Sequence, residues 1–231
     1  MKSLLALSLC LNFLLPAFGQ SITLSVKQTY GSFLMSELEE IQNHIAEPSL
    51  AKVTESFPNY YGSQITLAVG LRSNSNVGVF WDYTSTGGRM AYQDYSGKLS
   101  SDLLVSRNAL GLRYEEILRL NEAFSLVGGL QFSALFSRLV IQDYLEVYDE
   151  RQSQVTHMRA LGFGAEPEVA LQFTKYRVLC RVGMGYQLSF SKPFQNTQNL
   201  FLVVNDDTVE PEWSGFRVGF TLGYEIPLKS E

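Results

Sequence analysis

Side-chain catalysis of hydrolysis or acyl transfer needs a nucleophile, a base and a group that orients the base. Beyond the first 20 residues the chain offers two bases, His44 and His157. Ser153 lies four residues before His157, and Glu146 and Glu150 are close enough in sequence to orient it. Such a set would suit trimming or acylation of a lipid, or proteolysis. The spacing fixes no geometry, however, and two histidines among many serines is what chance supplies. Cys180 falls on the apolar face of an alternating segment, where a thiol behaves as a small apolar side chain. Acidic residues cluster in three places: 34–60 carries net −4, 143–155 net −3 and 193–212 net −4. Oxygen-rich clusters suit Ca²⁺ or Mg²⁺, but no EF-hand spacing is present, and a solvated surface is the simpler reading. There is no phosphate-binding glycine loop, no zinc spacing and no basic nucleic-acid patch. The expectation is no catalytic residue, no metal, no cofactor and no nucleic-acid partner.

Most of the chain that would position these groups alternates with period two. From Phe216, the residues Phe216, Val218, Phe220, Leu222, Tyr224 and Ile226 share one face. Arg217, Gly219, Thr221, Gly223 and Glu225 share the other. Eleven residues in strict alternation are the length of a tilted strand crossing a bilayer. Residues 178–190 and 161–173 repeat the pattern, the latter with Pro167 inside it. Proline removes a ladder donor, so a bulge or local break is expected there. Weaker versions occupy 22–33, 61–72, 77–92, 103–115 and 123–142, which makes eight strands.

The connections alternate in length. Those at 73–76, 116–122 and 174–176 are short; those at 34–60, 93–102, 143–155 and 193–211 are long. Short turns at one end and long loops at the other are a habit of outer-membrane barrels. Both ends of the ring then lie on the short-turn, periplasmic side. In the first long loop, SELEEIQNHI at 36–45 opens with a serine three residues before Glu39, a capping-box spacing. Leu38, Ile41 and Ile45 form one stripe, which predicts a short helix packed on the barrel mouth.

The face opposite the apolar one decides which barrel this is. It is rich in Gly, Ser, Thr and Ala, and carries Lys27, Arg72, Asp82, Arg107, Arg113, Glu115, Glu166, Glu168, Arg181, Arg217 and Glu225. The outer surface of a soluble lipocalin-like carrier would be poor in glycine. Small residues beside a near-balanced set of charges suit a narrow lumen, since eight strands enclose just enough room for side chains. The predicted fold is therefore all-β: an eight-stranded antiparallel transmembrane β-barrel, an up-and-down meander with long extracellular loops. Its lumen is expected to be plugged by ion pairs among Arg72, Asp82, Arg107, Arg113, Glu115, Glu166, Glu168, Arg181, Arg217 and Glu225. Tyr30, Tyr60, Tyr61, Trp81, Tyr83, Tyr114, Tyr144, Trp213 and Tyr224 are expected to form interfacial girdles.

The N-terminus supports export. Lys2 precedes the uncharged run SLLALSLCLNFLL, Pro16 breaks it, and Ala17-Phe18-Gly19 supplies small residues for cleavage before Gln20. The expected division is a signal peptide at 1–19 and one barrel domain at 20–231. Only Cys180 survives cleavage, so no disulfide forms within the chain.

The stretch WDYTSTGGRMAYQDYSG at 81–97 and the closing EWSGFRVGFTLGYEI resemble small outer-membrane β-barrel proteins of Bacteroidota, in the broad outer-membrane protein β-barrel domain group. The resemblance covers the mature chain as architecture. It implies the outer membrane as location, with membrane lipid, lipopolysaccharide and the barrel-insertion machinery as partners of a monomer; it implies no activity. Many such barrels close on an aromatic residue, whereas this chain continues past Tyr224 through IPLKSE. Within 81–97, Gly87 and Gly88 are expected to bend the strand through positive φ or a bulge. Arg89, Tyr92, Asp94 and Tyr95 would then crown the hairpin, either as a ligand surface or as a flap over the mouth with Arg89 paired to Asp94 or Asp82. A non-enzymatic structural or surface-binding role stands first; a lipid-A-modifying enzyme and a soluble carrier are the alternatives.

Overall fold

The computed structural model describes residues 21–228 apart from 50, 73, 96, 149, 199, 205 and 206, so the expected signal peptide lies outside the described residues. In chain order the elements are β1 (Ser21–Gly31), α1 (Ser36–Ser49), β2 (Lys52–Glu55), β3 (Tyr60–Arg72), β4 (Ser75–Gln93) and β5 (Gly97–Arg119). Then follow β6 (Phe124–Val147), β7 (Glu150–Lys175), β8 (Val178–Ser191), β9 (Val203–Val204), β10 (Asp207–Thr208) and β11 (Gly215–Pro227). Eight of them close an antiparallel ring in the order β1-β3-β4-β5-β6-β7-β8-β11, and β11 returns to β1 from Ser21↔Pro227 to Gly31↔Arg217. This is an eight-stranded transmembrane barrel, apolar outside and polar within. Leu24, Leu67, Val79, Leu112, Phe132, Leu171, Val182 and Phe220 are among the large apolar residues exposed around its girth.

Two expected loops are not loops. Residues 93–102 and 143–155 belong almost wholly to β4–β7, which run far past the apolar belt and pair without a register break from Ser75↔Glu116 to Gln93↔Lys98, and from Arg119↔Ser125 to Gly97↔Val147. Their sequence hides this because the alternation changes phase where lipid gives way to water. In β5 the belt residues Leu110, Leu112 and Tyr114 point out, but above them Leu103 and Val105 point in and are fully buried. In β6, Phe132 and Phe136 point out while Leu139 points in. In β7, Leu161 and Phe163 point out while Met158 and Ala160 point in.

These inward residues form the back wall of a second, water-side core. Its front is α1 and the 192–214 connection: Met35, Leu38, Ile41 and Ala46, then Phe194, Val209 and Trp213, pack with Phe57, Met90, Leu103, Val105, Leu139 and Met158. The helix thus sits on the mouth as its apolar stripe predicts. Its Ser36 hydroxyl donates to Glu212 Oε2 at 3.1 Å, tying the helix start to the far connection.

Pro167 stands opposite Leu130 without a register shift. The ladder to β8 loses its bridges at Glu166 and Pro167 and resumes in register at Glu168↔Gly185, so the missing donor makes a local break rather than a bulge. Gly87 and Gly88 neither bend nor bulge, and no described glycine has positive φ. Gly88 instead makes room: a Cβ there would stand 2.9 Å from Gln42 Nε2 of the helix. Two of the expected girdle residues are inside. Tyr60 and Trp213 are buried at the mouth, while Tyr30, Tyr61, Trp81, Tyr83, Tyr114 and Tyr224 face outward at the belt and Tyr144 stands on the wall above it.

Candidate functional site: the barrel interior and its mouth

Inward positions of six strands supply charged groups that join end to end. Arg107 Nη2 lies 2.5 Å from Asp82 Oδ2, and Arg217 Nη2 lies 3.2 Å from the same oxygen. Arg217 Nη1 reaches Glu166 Oε2 at 2.6 Å. Lys27 Nζ bridges Glu166 at 3.5 Å and Glu168 at 3.1 Å. Arg113 Nη2 meets Glu168 at 3.2 Å and its Nε meets Glu115, and Arg181 Nη1 closes on Glu115 at 2.5 Å. The result is one alternating chain, Arg107-Asp82-Arg217-Glu166-Lys27-Glu168-Arg113-Glu115-Arg181, with one cation in excess and every member buried.

Neutral groups complete it. Gln131 Nε2 donates to Glu168 at 3.0 Å, Gln187 accepts from Arg217 at 3.0 Å, and Gln172 accepts from Arg181 Nη2 at 2.6 Å. Glycines opposite the chain leave it space. A Cβ at Gly183 would be 2.9 Å from Glu168, one at Gly185 3.1 Å from Glu166, and one at Gly219 2.5 Å from Lys27 Cε. Buried charge is costly unless paired and hydrogen-bonded; every member of this set is paired, while Arg107 Nε and Nη1 and Arg217 Nε have no hydrogen-bond partner among the described residues.

Two ends bound the chain. At the outer end the Arg107 guanidinium faces the Trp213 ring 5.1 Å from its centroid. The indole Nε1 donates to Ser137 Oγ at 2.8 Å, Phe33 meets the ring edge-on at 4.6 Å, and Phe33 stacks on Tyr60 at 3.5 Å. These aromatics separate the ionic lumen from the apolar cap. At the other end a vestibule of about 490 Å³ opens toward the short turns, lined by Glu115, Gln172 and Arg181 at its floor. Between them the free space beside Asp82, Glu166 and Arg217 shrinks to about 10 Å³.

Of the ten residues expected in the lumen network, eight are brought together: Asp82, Arg107, Arg113, Glu115, Glu166, Glu168, Arg181 and Arg217. Glu225 is half-buried at the vestibule and makes no ion pair among the described residues; its backbone N–H donates to Arg177 O at 2.9 Å. Arg72 ends β3, and its side chain lies outside the described residues. Lys27 belongs to the chain by its place on the inward face of β1. Gln131, Gln187 and Trp213 complete it; strand parity marks the glutamines, whereas nothing in the sequence marks the tryptophan as inward.

The four hairpin residues do not converge. Arg89 pairs with Asp102, Nε to Oδ1 at 2.5 Å and Nη2 to Oδ2 at 2.8 Å, and not with Asp94 or Asp82. Register explains this, since Arg89 and Asp102 are directly opposed across β4 and β5. The Arg89 guanidinium holds the Asp102 carboxyl below the usual carboxylate range. Tyr92 donates to Asp94 at 3.2 Å, Asp94 accepts the Gly97 N–H at 3.0 Å, and Tyr95 stands free at the tip, almost wholly exposed. The hairpin extends the wall; α1 and the 192–214 connection cover the mouth.

The serine-histidine-acid set does not assemble. Ser153 and His157 lie four residues apart on one straight strand, about 13 Å along it. Glu146 is taken by the Tyr144 hydroxyl at 2.6 Å and Arg151 Nε at 3.1 Å. His44 is exposed on α1. Cys180 lies on the outer face of β8 between Phe173 and Leu222.

Fold and interior together define a membrane-type β-barrel with a charge-paired lumen. No family model matches the chain, and no curated protein does. Solved structures that match include Ail, the attachment invasion locus protein of Yersinia pestis, at 12% identity, with 89% of this chain and 97% of that one covered and a TM-score of 0.35. Neisserial surface protein A matches at 8% identity over 90% and 96% with a TM-score of 0.36. The N-terminal β-barrel domain of Pseudomonas aeruginosa OprF matches at 13% over 90% and 99% with a TM-score of 0.29. The barrel assignment rests on the closed strand ring itself.

Proposed function

We propose that this chain is a non-enzymatic outer-membrane barrel, exported by its N-terminal segment, with a non-conducting lumen and a structural or surface-binding role at its outer wall and cap. One observation supports it above the others: the buried ion-pair chain running from the Trp213 lid to the vestibule. An eight-stranded lumen is narrow, and here its middle is occupied by side chains that hold each other by charge. The dispersal of Ser153, His157 and Glu146 supports the non-enzymatic reading, and the apolar outer belt opposes a soluble carrier. Planar-bilayer recording tests the lumen: the pure protein should give a flat trace, and stable open steps would overturn the plug. Fractionation tests the location, where recovery from the soluble periplasm would refute it. A deletion strain should keep its lipid A mass spectrum, and a changed one would restore the enzyme alternative.

A further inference from the structure

Where the apolar belt ends on the outer side of β6 and β7, the surface turns basic. Arg138 and Arg159 are direct register partners in the β6–β7 ladder, and both are exposed. Like charges directly opposed across a ladder destabilise it, and no carboxylate lies within ion-pair distance of either among the described residues. Arg138 Nη2 instead donates to His157 Nδ1 at 3.3 Å. Lys192 completes the cluster: its backbone N–H donates to Leu161 O at 2.8 Å, which fixes the residue beside Arg159. Gln195, bridged to Arg159 through both backbone N–H groups at 2.8 and 2.9 Å, brings the following turn alongside.

Height matters as much as charge. Arg138 stands two residues beyond exposed Phe136 and Arg159 two beyond exposed Leu161 on the same strand faces, and Lys192, just past the end of β8, follows two residues after exposed Phe190. The cations are therefore at headgroup level with acyl-chain contacts directly below. Beside them is a groove of about 640 Å³ lined also by Pro193, Gln195 and Thr197. That is far more room than one phosphate needs, with amide and hydroxyl groups suited to sugar hydroxyls.

We propose that Arg138, Arg159 and Lys192 bind the phosphate of a phosphorylated glycolipid headgroup in the outer leaflet, with the sugar in the adjoining groove and acyl chains on Phe136, Leu161 and Phe190. The inference rests on the outer-membrane reading, which puts this rim in the outer leaflet. A bound phosphate gives the opposed arginines the shared anion that the protein does not supply, in charge-assisted hydrogen bonds.

The test uses the folded protein in neutral-detergent micelles, with native mass spectrometry and thermal melts. The probes are bisphosphorylated lipid A, the same lipid A with its phosphates removed, and phosphatidylglycerol. The wild type should retain bisphosphorylated lipid A in preference to both others. The variant Arg138→Gln/Arg159→Gln/Lys192→Gln should lose retention by about tenfold or more, and the control Lys175→Gln at the opposite rim should not. In lipid-free micelles Arg138→Gln alone should raise the melting temperature by roughly 1–3 °C, because it removes the like-charge pair. Undiminished retention in the triple variant, equal uptake of either comparison lipid, or a lowered lipid-free melt in Arg138→Gln overturns the site. Micelle binding does not depend on cellular location, so a periplasmic fractionation result would sink the outer-membrane reading separately.

Discussion

Arg217→Met is the most direct probe of the lumen. Arg217 contributes Nη1 to Glu166 at 2.6 Å and to Gln187 at 3.0 Å, and Nη2 to Asp82 at 3.2 Å and to Thr29 at 3.3 Å. Methionine keeps much of the length and none of the charge. Removing one partner of a buried pair costs about 3–5 kcal/mol, because the other charge stays buried. Here both carboxylates keep a second cation, Asp82 through Arg107 at 2.5 Å and Glu166 through Lys27 at 3.5 Å. The loss should therefore fall at the lower end, about 3 kcal/mol. Equilibrium urea unfolding in lipid vesicles, followed by tryptophan fluorescence, measures it. Glu166→Gln in the Arg217→Met background removes the carboxylate left with Lys27 alone and should recover about 1 kcal/mol or more as a coupling energy. A loss under about 1 kcal/mol with no coupling would show that water or chain relaxation solvates the lumen, and the closed-plug argument would fail.

Three further outcomes follow from the outer end. Gly88→Ala should destabilise the docking of α1, since it displaces Gln42 from its bonds to Glu55 O at 2.6 Å and Arg89 O at 3.1 Å, worth about 1 kcal/mol each; Gly128→Ala, with nothing within 4 Å, should instead stabilise, and hydrogen exchange and melts separate the two. Trp213→Ala should cost about 3–5 kcal/mol in urea unfolding, as the fully buried ring also faces Arg107 and accepts the edge of Phe33. Asp102 has a folded pKa held below its ordinary 3.8 by hydrogen bonding to Arg89, so its contribution is full above that value and is lost as pH falls through the lower folded one. Thermal melts of wild type and Asp102→Asn should differ at neutral pH and converge as acidification protonates the folded carboxyl; a gap that widens on acidification contradicts the assignment.

Strand identity in the belt was legible because lipid outside and charge inside keep one phase of alternation over eleven residues, as at 216–226. The tall wall was not, because above the belt the outer face meets water and the inner face meets α1, so Leu103, Leu139 and Met158 fall on the opposite parity from Leu110, Phe132 and Leu161. A reader following one phase sees the pattern dissolve and infers a loop. Inward charge was legible residue by residue from parity, including Lys27. The pairing was not, since Arg181 and Glu115 meet across the lumen from strands 66 residues apart. Trp213 misleads for a related reason: it lies outside any strand, so no alternation says which way it points.

The ring has a seam. Seven of its ladders join strands that follow one another around the meander, whereas β1 and β11 meet only after the whole domain has been traversed. Closing that ladder carries the largest loop entropy and so comes last in assembly. Lys27 is on β1 and Arg217 on β11, one on each side of the seam. Until it zips, Lys27 stands across the gap from β7, and Glu166 keeps only Arg217 and Glu168 only Arg113. Assembly thus has an electrostatic latch: with β11 held by β8, a seam joined one residue out of register would turn Lys27 toward lipid and leave each carboxylate of β7 one cation short.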